Sequence, residues 1–551
     1  MYSIGLDYGT ESCRALLLDL TSSDIVKVVE MTYPHGIITE KLNGIDLKNN
    51  LVLQHPNDYL QCMKDLIAKL LDETKISPTE VKALGIDFTS CTVLPVDENF
   101  NPLCMVEAFS QEPQAYAKLW KSHSAFEEAQ HITEVLSKHP YLQKYGGIIS
   151  SEWLLPKLLE TKNDATEVFE ACIYFMEAGD WLTSKLTNQL VRSSCQAGFK
   201  GLWQKEGGFL PTDVLKAVDP VFENLYETKL SGEVLSAGKL AGMLTTSMAN
   251  YLGLHEDVAV AVSIIDAHAA VVGAGLSRSN ELLIVMGTSS CHMLLSDEER
   301  LIPGVAGVVE DGIFENLYAY EAGQVAVGDI FAYFIREQLP THFELQAADS
   351  GVSVFDVLND YASKLKPGES GLLALDWHNG NRTPYTNPNL SAVIIGETLA
   401  TKAYEKYRAL VESTAYGTKV IVDLFTDSGI AVDSILLAGG IPRKNPFLVQ
   451  LYADILQKPL IVLEELQIPA LGAAILGAAA YEQLTLQEAA RKYGTNRQTM
   501  FKPNTANKEV YETLYNNYKN LMKLFSHHPL MEQLHGLRAK GENENGQESM
   551  G

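Results

Sequence analysis

One nine-residue pattern occurs twice, and it constrains the fold more than any other feature. Gly9-Thr10-Glu11-Ser12-Cys13-Arg14-Ala15-Leu16-Leu17 and Gly287-Thr288-Ser289-Ser290-Cys291-His292-Met293-Leu294-Leu295 both read G-T-x-S-C-x-x-L-L. The copies stand about half of the 551-residue chain apart. Each follows an apolar strand, Ile4-Gly5-Leu6 in one case and Leu282 to Met286 in the other. Two halves that each open strand, Gly-Thr turn, strand predict a duplicated α/β fold with a cleft between the copies.

The rest of the composition narrows the function. Hydrophobic residues make up 46% and charged residues 20%, which excludes disorder, collagen and coiled coil for the whole chain. Asp and Glu number 69 against 43 Lys and Arg, a net charge of −26 that repels a nucleic-acid backbone. A nucleotide pocket survives this field, because local amides and Mg²⁺ can override it. Seven cysteines without a C-x-x-C pair predict neither a disulfide framework nor a zinc site, and so a reducing, cytoplasmic setting. No apolar run approaches the roughly 18 residues of a membrane span, so neither membrane nor nucleic acid is an expected partner. Leu471 to Tyr481, rich in Ala and Gly, reads as a buried helix.

Local patterns then place the candidates. Tyr2–Asp7, Arg14–Asp19, Val81–Phe88, Val93–Val96 and Ser434–Ala438 read as strands, and His55–Asp72 and Phe447–Ile455 as helices. Residues 106 to 190 look largely helical, with amphipathic segments at Ala115–Trp120, Trp153–Leu159 and Trp181–Leu186. A last helical region runs to about Lys523, and a polar, disordered tail is expected from Lys540. The expected division is 1–277, 278–490, and an extension with its tail at 491–551.

Four sites could carry chemistry. The turns at Gly9-Thr10 and Gly287-Thr288-Ser289 gather backbone N–H groups and hydroxyls that can hold a polyphosphate, or they are ordinary hairpin turns. Neither G-x-x-x-x-G-K-[ST] nor G-x-G-x-x-G occurs. Asp7, beside the first turn, could hold hydrated Mg²⁺ or cap the turn. Asp266 ends the apolar run Val258–Ile265 and opens a helix, where α/β proteins place ligands; it reads as a base for phosphoryl transfer or as a helix cap. Gly439-Gly440 allows close backbone approach to a flat ligand, as does Leu471-Gly472-Ala473-Ala474.

Together these residues resemble a known family. Ile4-Gly5-Leu6-Asp7-Tyr8-Gly9-Thr10, Met286-Gly287-Thr288-Ser289-Ser290 and Ala438-Gly439-Gly440 resemble the phosphate and adenosine motifs of the actin/hexokinase superfamily. Gly439 to Pro446 resembles a signature of the FGGY carbohydrate kinases. Tyr116 to Lys121, Ser151 to Lys157 and Asp266-Ala267-His268 are most similar to its ribulokinase branch. The resemblance implies two ribonuclease-H-like domains, the first mainly for sugar and the second mainly for ATP. It implies ATP with Mg²⁺ near Asp7, a ketopentose (L-ribulose) as acceptor, and Asp266 as general base. Gly9, Thr10, Gly287, Thr288 and Ser289 would face phosphates, and Gly439, Gly440 and Asn445 the adenosine. Trp120, Lys200 and Glu321 would line the sugar pocket. A homodimer is in keeping with the family. Ser263-Ile264-Ile265, where related kinases often have Gly and a polar residue, departs from the pattern. Other ketoses or polyols (D-ribulose, xylulose, ribitol, glycerol) and a nucleotide-dependent sensor or assembly protein stand as alternatives.

Overall fold

A computed structural model describes residues 1–305 and 307–537. The expected tail from Lys540 lies outside the described residues.

Two mixed sheets form the centre. The first contains β1 (Tyr2–Tyr8), β2 (Ser12–Asp19), β3 (Ile25–Thr32), β4 (Val81–Phe88) and β5 (Ala259–Ala261), in the order β3-β2-β1-β4-β5. The second contains β6 (Glu281–Met286), β7 (Ser290–Ser296), β8 (Tyr318–Gln324), β9 (Ser434–Ala438) and β10 (Leu460–Leu463), in the order β8-β7-β6-β9-β10. In both, the first three strands of the chain order run antiparallel one to the next, and the last two run parallel to the first. The repeat is therefore the β1–β2 hairpin and its counterpart β6–β7, in two ribonuclease-H-like halves.

Five helices position the site: α1 (Leu154–Asp164), α2 (Ser194–Lys200), α3 (Asp266–Gly273), α4 (Gly328–Gln338) and α5 (Ile468–Glu482). Helix α5, the Ala/Gly-rich segment, is buried along nearly its whole length and joins both sheets in one core. Its fit depends on missing side chains. A Cβ at Gly5 would lie 2.1 Å from the Ala470 carbonyl oxygen, and one at Gly85 1.8 Å from that of Ala473. Gly472 meets Ala269 of α3 in the same way, at 2.0 Å. The close approach at Leu471–Ala474 thus serves helix packing and not a ligand.

Two local expectations need correction. Ala115–Trp120 is not helical: a 3-10 turn at Pro113–Ala115 leads into the short strand Ala117–Lys118. The buried Lys118 explains this, since its ammonium donates to Glu160 Oε2 and Thr161 Oγ1, both at 2.8 Å, and extended chain lets it reach them. Val258–Ile265 is not one strand: β5 stops at Ala261, and Ile264–Ile265 resumes beside β4. At the break the Ser263 hydroxyl donates to Asp180 and its carbonyl accepts from Ser193. The expected late helical region forms the helix Lys508–Ser526, and residues 530–537 are helical as well.

Candidate active site

The first turn is held by side chains from three other segments. Tyr33 donates its hydroxyl to the Gly9 carbonyl at 2.9 Å, and Gln54 donates Nε2 to the Thr10 carbonyl at 2.7 Å. Trp120 Nε1 donates to Thr10 Oγ1 at 3.0 Å, which brings a sugar candidate against a phosphate candidate. Just before the turn, Asp7 is buried and lies 3.4 Å from Arg14 Nη1.

Asp87, which sequence reading missed, stands opposite Asp7 in the β1–β4 register. Its two carboxylate oxygens are buried with no hydrogen-bond partner among the described residues. Ile264 and Ile265 pair with Asp87 and Phe88, so Asp266 emerges at the end of the same strand pair. Burial, then the charge of Asp7, raises the Asp266 carboxyl to about 7. Burial raises Asp7 as well, and burial with Asp7 and Asp266 pushes Asp87 well above the carboxylate range. This end of the cleft is short of positive charge, with orphaned acidic oxygens of the hard-donor type that a divalent cation takes. His35, His55 and Asp58 form another cluster of metal-ligand type. All three of its groups are already engaged, since His35 pairs with Asp58 at 2.7 Å and His55 Nδ1 caps a helix.

A cavity of about 400 Å³ opens between the halves and is lined by Thr10, Trp120, Lys200, Asp266, Ser289 and Glu321. Six residues singled out in the sequence thus meet in one place. Lys200, at the end of α2, lies 3.1 Å from both carboxylate oxygens of Glu321 on β8. Burial opposes ionisation of Glu321, but Lys200, His268 and Arg382 outweigh it and hold the carboxyl at about 2. The same partner keeps Lys200 above its ordinary value despite burial. The pair is fully ionised at neutral pH and presents donors and acceptors to a hydroxylated ligand. His268 lies beneath it, stacked on Phe199 at 4.4 Å, and burial lowers its pKa to about 4.

Sequence reading also missed Arg382, and it gave no role to Glu152 and Lys157, although both lie in the quoted segment Ser151 to Lys157. Lys157 is wholly buried and ties the Cys91 and Leu119 carbonyls together at 2.7 and 2.8 Å, which fixes the loop that carries Trp120. Burial lowers its pKa to about 8. A lysine inside the apolar periodicity of Trp153–Leu159 was the available signal.

A second cavity, of about 790 Å³, lies over the second turn, between Gly287, Thr288, Gly328, Phe355, Gly440 and Asn445. Gly440 has open space where a Cβ would be, so backbone faces the cavity there. Gly439 does not line it. Its φ of +103° and the Met286 carbonyl oxygen, 2.2 Å from where a Cβ would sit, explain the glycine instead. Asn445 spends its Oδ1 capping the helix Pro446–Leu456, accepting from Leu448 N at 3.0 Å. Thr288 lines this second cavity while its neighbour Ser289 lines the first. The second turn is the wall between them.

Sequence profiles decide the family. The N-terminal domain of the FGGY family of carbohydrate kinases matches residues 2–273, and its C-terminal domain matches residues 282–481. The chain belongs to the FGGY family of carbohydrate kinases. This FGGY kinase is 44% identical over 535 residues to a ribulokinase of Geobacillus thermodenitrificans, covering 95% of this chain and 94% of that one. It is 42% identical over 552 residues to a ribulokinase of Shouchella clausii, covering 98% of both. Among solved structures, a xylulose kinase from Rhodospirillum rubrum has the same fold, with a TM-score of 0.79 and 19% identity over 97% of this chain and 100% of that one. Plasmodium falciparum glycerol kinase with ADP does too, with a TM-score of 0.74 and 18% identity over 94% and 97%. The FGGY kinase has no helix, among the described residues, long and apolar enough to cross a membrane.

Proposed function

We propose that this kinase transfers the γ-phosphoryl group of ATP to the 5-hydroxyl of L-ribulose. The observation that carries the proposal is the shared wall: Thr288 faces the large cavity and Ser289 faces the cleft that holds Asp266. A nucleotide in the large cavity, its adenosine against Gly440 and Asn445, would reach the wall with its terminal phosphate. Amides and hydroxyls of Gly287, Thr288, Ser289, Gly9 and Thr10 would donate to the phosphate oxygens. The acceptor would lie against Trp120, Lys200 and Glu321. The ribulokinase relatives favour ribulose as that acceptor.

Asp266 would take the proton of the 5-hydroxyl as its oxygen bonds to phosphorus and the bond to ADP breaks. A pKa near neutrality suits a base at neutral pH. Asp7 and Asp87 would hold the divalent cation that arrives with ATP, which supplies charge neutralisation at the phosphates. Closure of the two halves would exclude water, the competing acceptor. The working division is 1–277 for sugar and base, and 278–490 for nucleotide.

The test is ADP release with Mg-ATP and a panel of L-ribulose, D-ribulose, L-xylulose, D-xylulose, ribitol and glycerol, with the product's phosphate position read by ³¹P NMR. The expected result is selective stimulation by L-ribulose and a 5-phosphate. Preference for another acceptor overturns the substrate, and no stimulation by any of them overturns the kinase reading of the site.

A further inference from the structure

The second half sends a loop back into the cleft between the halves. Between the strands Leu373–Leu375 and Val393–Ile395, Asn381 and Asn387 exchange backbone hydrogen bonds at 2.9 and 2.8 Å. Asn381 Oδ1 accepts from Tyr385 N at 3.0 Å, and Thr383 Oγ1 accepts from the Gly323 amide on β8 at 3.3 Å. These bonds tie the loop to the second sheet. Arg382, within it, lines the cleft that holds Asp266 and Ser289.

Strand register places its guanidinium. Alternate residues of a strand share a face. On β7, Cys291 and Met293 line the cleft, while His292 between them turns away to Thr418 Oγ1 at 3.3 Å. Across the ladder, Cys291 stands opposite Gly323 and Met293 opposite Glu321. Arg382 Nη1 lies 3.6 Å, and its Cδ 3.7 Å, from the point that a Cβ on Gly323 would occupy. The side chain therefore covers the Cys291–Gly323 pair on the cleft face. One step along that face toward the second Gly-Thr turn is Ser289, and one step the other way is Glu321 with its partner Lys200. Arg382 stands between the phosphate turn and the acceptor candidates.

Its charge is unspent there. The Arg382 carbonyl accepts from Thr386, yet the guanidinium makes no hydrogen bond or ion pair among the described residues. Other cations and carboxylates nearby are engaged: Glu321 by Lys200 at 3.1 Å, and Arg14 by Asp7 at 3.4 Å and Glu30 at 2.8 Å. The first half brings the acids Asp7, Asp87 and Asp266 to one strand pair, so a phosphoryl group passing before them needs positive charge from the opposite wall. A planar fork of five N–H donors fits the oxygens of such a group.

The geometry points to Arg382 as a further catalytic residue, donating to oxygens of the phosphoryl group as it passes from ATP to the acceptor. The acceptor oxygen bonds to phosphorus, the bond to ADP breaks, and the hydroxyl proton goes to Asp266. Arg382 keeps its own protons and supplies hydrogen bonds and charge throughout. This inference rests on the kinase reading above and adds a residue of the second half to the transfer step.

The experiment compares wild type with Arg382→Ala and Arg382→Lys, using Mg-ATP and whichever acceptor the panel selects. Arg382→Ala is expected to lose about a hundredfold or more in kcat, with both KM values within about threefold of wild type. Arg382→Lys keeps the charge without the fork and should lose about tenfold or more. Guanidinium chloride at tens of millimolar should raise the kcat of Arg382→Ala by about tenfold, where equal sodium chloride does not. A kcat within about threefold of wild type in both variants overturns the inference. So does a raised acceptor KM with kcat kept, which marks a sugar contact. A loss of kcat that guanidinium leaves unrestored overturns it too, marking a structural role. If thermal unfolding shows that Arg382→Ala does not fold, Arg382→Lys decides: a tenfold loss of kcat with KM values kept supports the inference, and a kcat within about threefold overturns it. A wild-type protein that turns over no acceptor overturns the kinase reading and this inference with it, a result told apart without any variant.

Discussion

The two Gly-Thr turns share a sequence but not a chemistry. In the first, Gly9 N donates to Ser12 O at 3.0 Å; in the second, Gly287 N donates one residue sooner, to Ser289 O at 2.9 Å. Side chains of Tyr33, Gln54 and Trp120 hold the first turn. Backbone at the start of α4 holds the second, with Val327 N donating to the Thr288 carbonyl at 2.8 Å and Gly328 N to the Gly287 carbonyl at 3.1 Å. The strands behind them differ more. Asp7 and its cross-strand neighbour Asp87 in the first half correspond to Val285 and Ala438 in the second. Arg14 corresponds to His292, which burial keeps neutral by lowering its pKa to about 3. The two halves share one scaffold, and at these matched positions only the first half carries charge. Under the proposed function, a turn backed by Val285 would offer amides to a polyphosphate without a carboxylate to repel it, and the carboxylates of the other half would be left for the cation and the proton.

Substitution at the two corresponding positions tests that asymmetry and carries the largest effect. Asp7→Asn is expected to lower kcat roughly a hundredfold at fixed Mg²⁺, the scale of removing one preorganised electrostatic group. Val285→Ala should leave kcat within about threefold and lower Tm by no more than a few degrees, because Val285 is a half-buried side chain at the edge of the core. Steady-state kinetics and thermal unfolding of both variants decide it; equal losses of kcat would make the halves chemically alike.

The tethers come next. Trp120→Phe removes the donor to Thr10 Oγ1 but keeps most of the apolar face. Losing one hydrogen bond of about 1 kcal/mol should raise the sugar KM severalfold. No change in KM would separate the sugar pocket from the first turn.

The smallest effect is a flat pH profile. Glu321 has its folded pKa held at about 2, below its ordinary value of 4.5, so the stability it contributes is present above pH 4.5. That contribution is lost as pH falls through 2. With Asp266 replaced by Asn, and at pH values below the Lys157 pKa of about 8, sugar affinity should therefore change by less than about twofold between pH 5 and 7. The proposed base behaves differently, and wild-type kcat should rise with pH through the region of 7 as Asp266 ionises. A sugar affinity of Asp266→Asn that titrated between pH 5 and 7 would contradict the ion-pair assignment.

The main lines of this fold were legible because the duplicated hairpin repeats both its turn residues and its flanking apolar strands. Asp266 was legible for a similar reason, as a polar residue that ends a long buried run. Asp87 was not, because it sits inside the strand Val81–Phe88 with buried neighbours and no turn to mark it. Arg382 lies in a loop without periodicity, and only tertiary structure brings it to the cleft. The Trp120–Thr10 contact spans 110 positions of sequence, beyond any local signal. The misread segment Ala115–Trp120 failed because a buried ion pair between Lys118 and Glu160, at 2.8 Å, overrides helical spacing.

The central claim is that Asp266 serves as the base for an acceptor held in the cleft between the halves, and Asp266→Asn tests it most directly. Isothermal titration with L-ribulose, run beside coupled measurement of ADP release, separates binding from chemistry. The account predicts sugar affinity within about threefold of wild type and a kcat lower by roughly a thousandfold or more, the upper range for loss of a general base. Turnover within about tenfold of wild type, a barrier change of no more than about 1.4 kcal/mol, would contradict it.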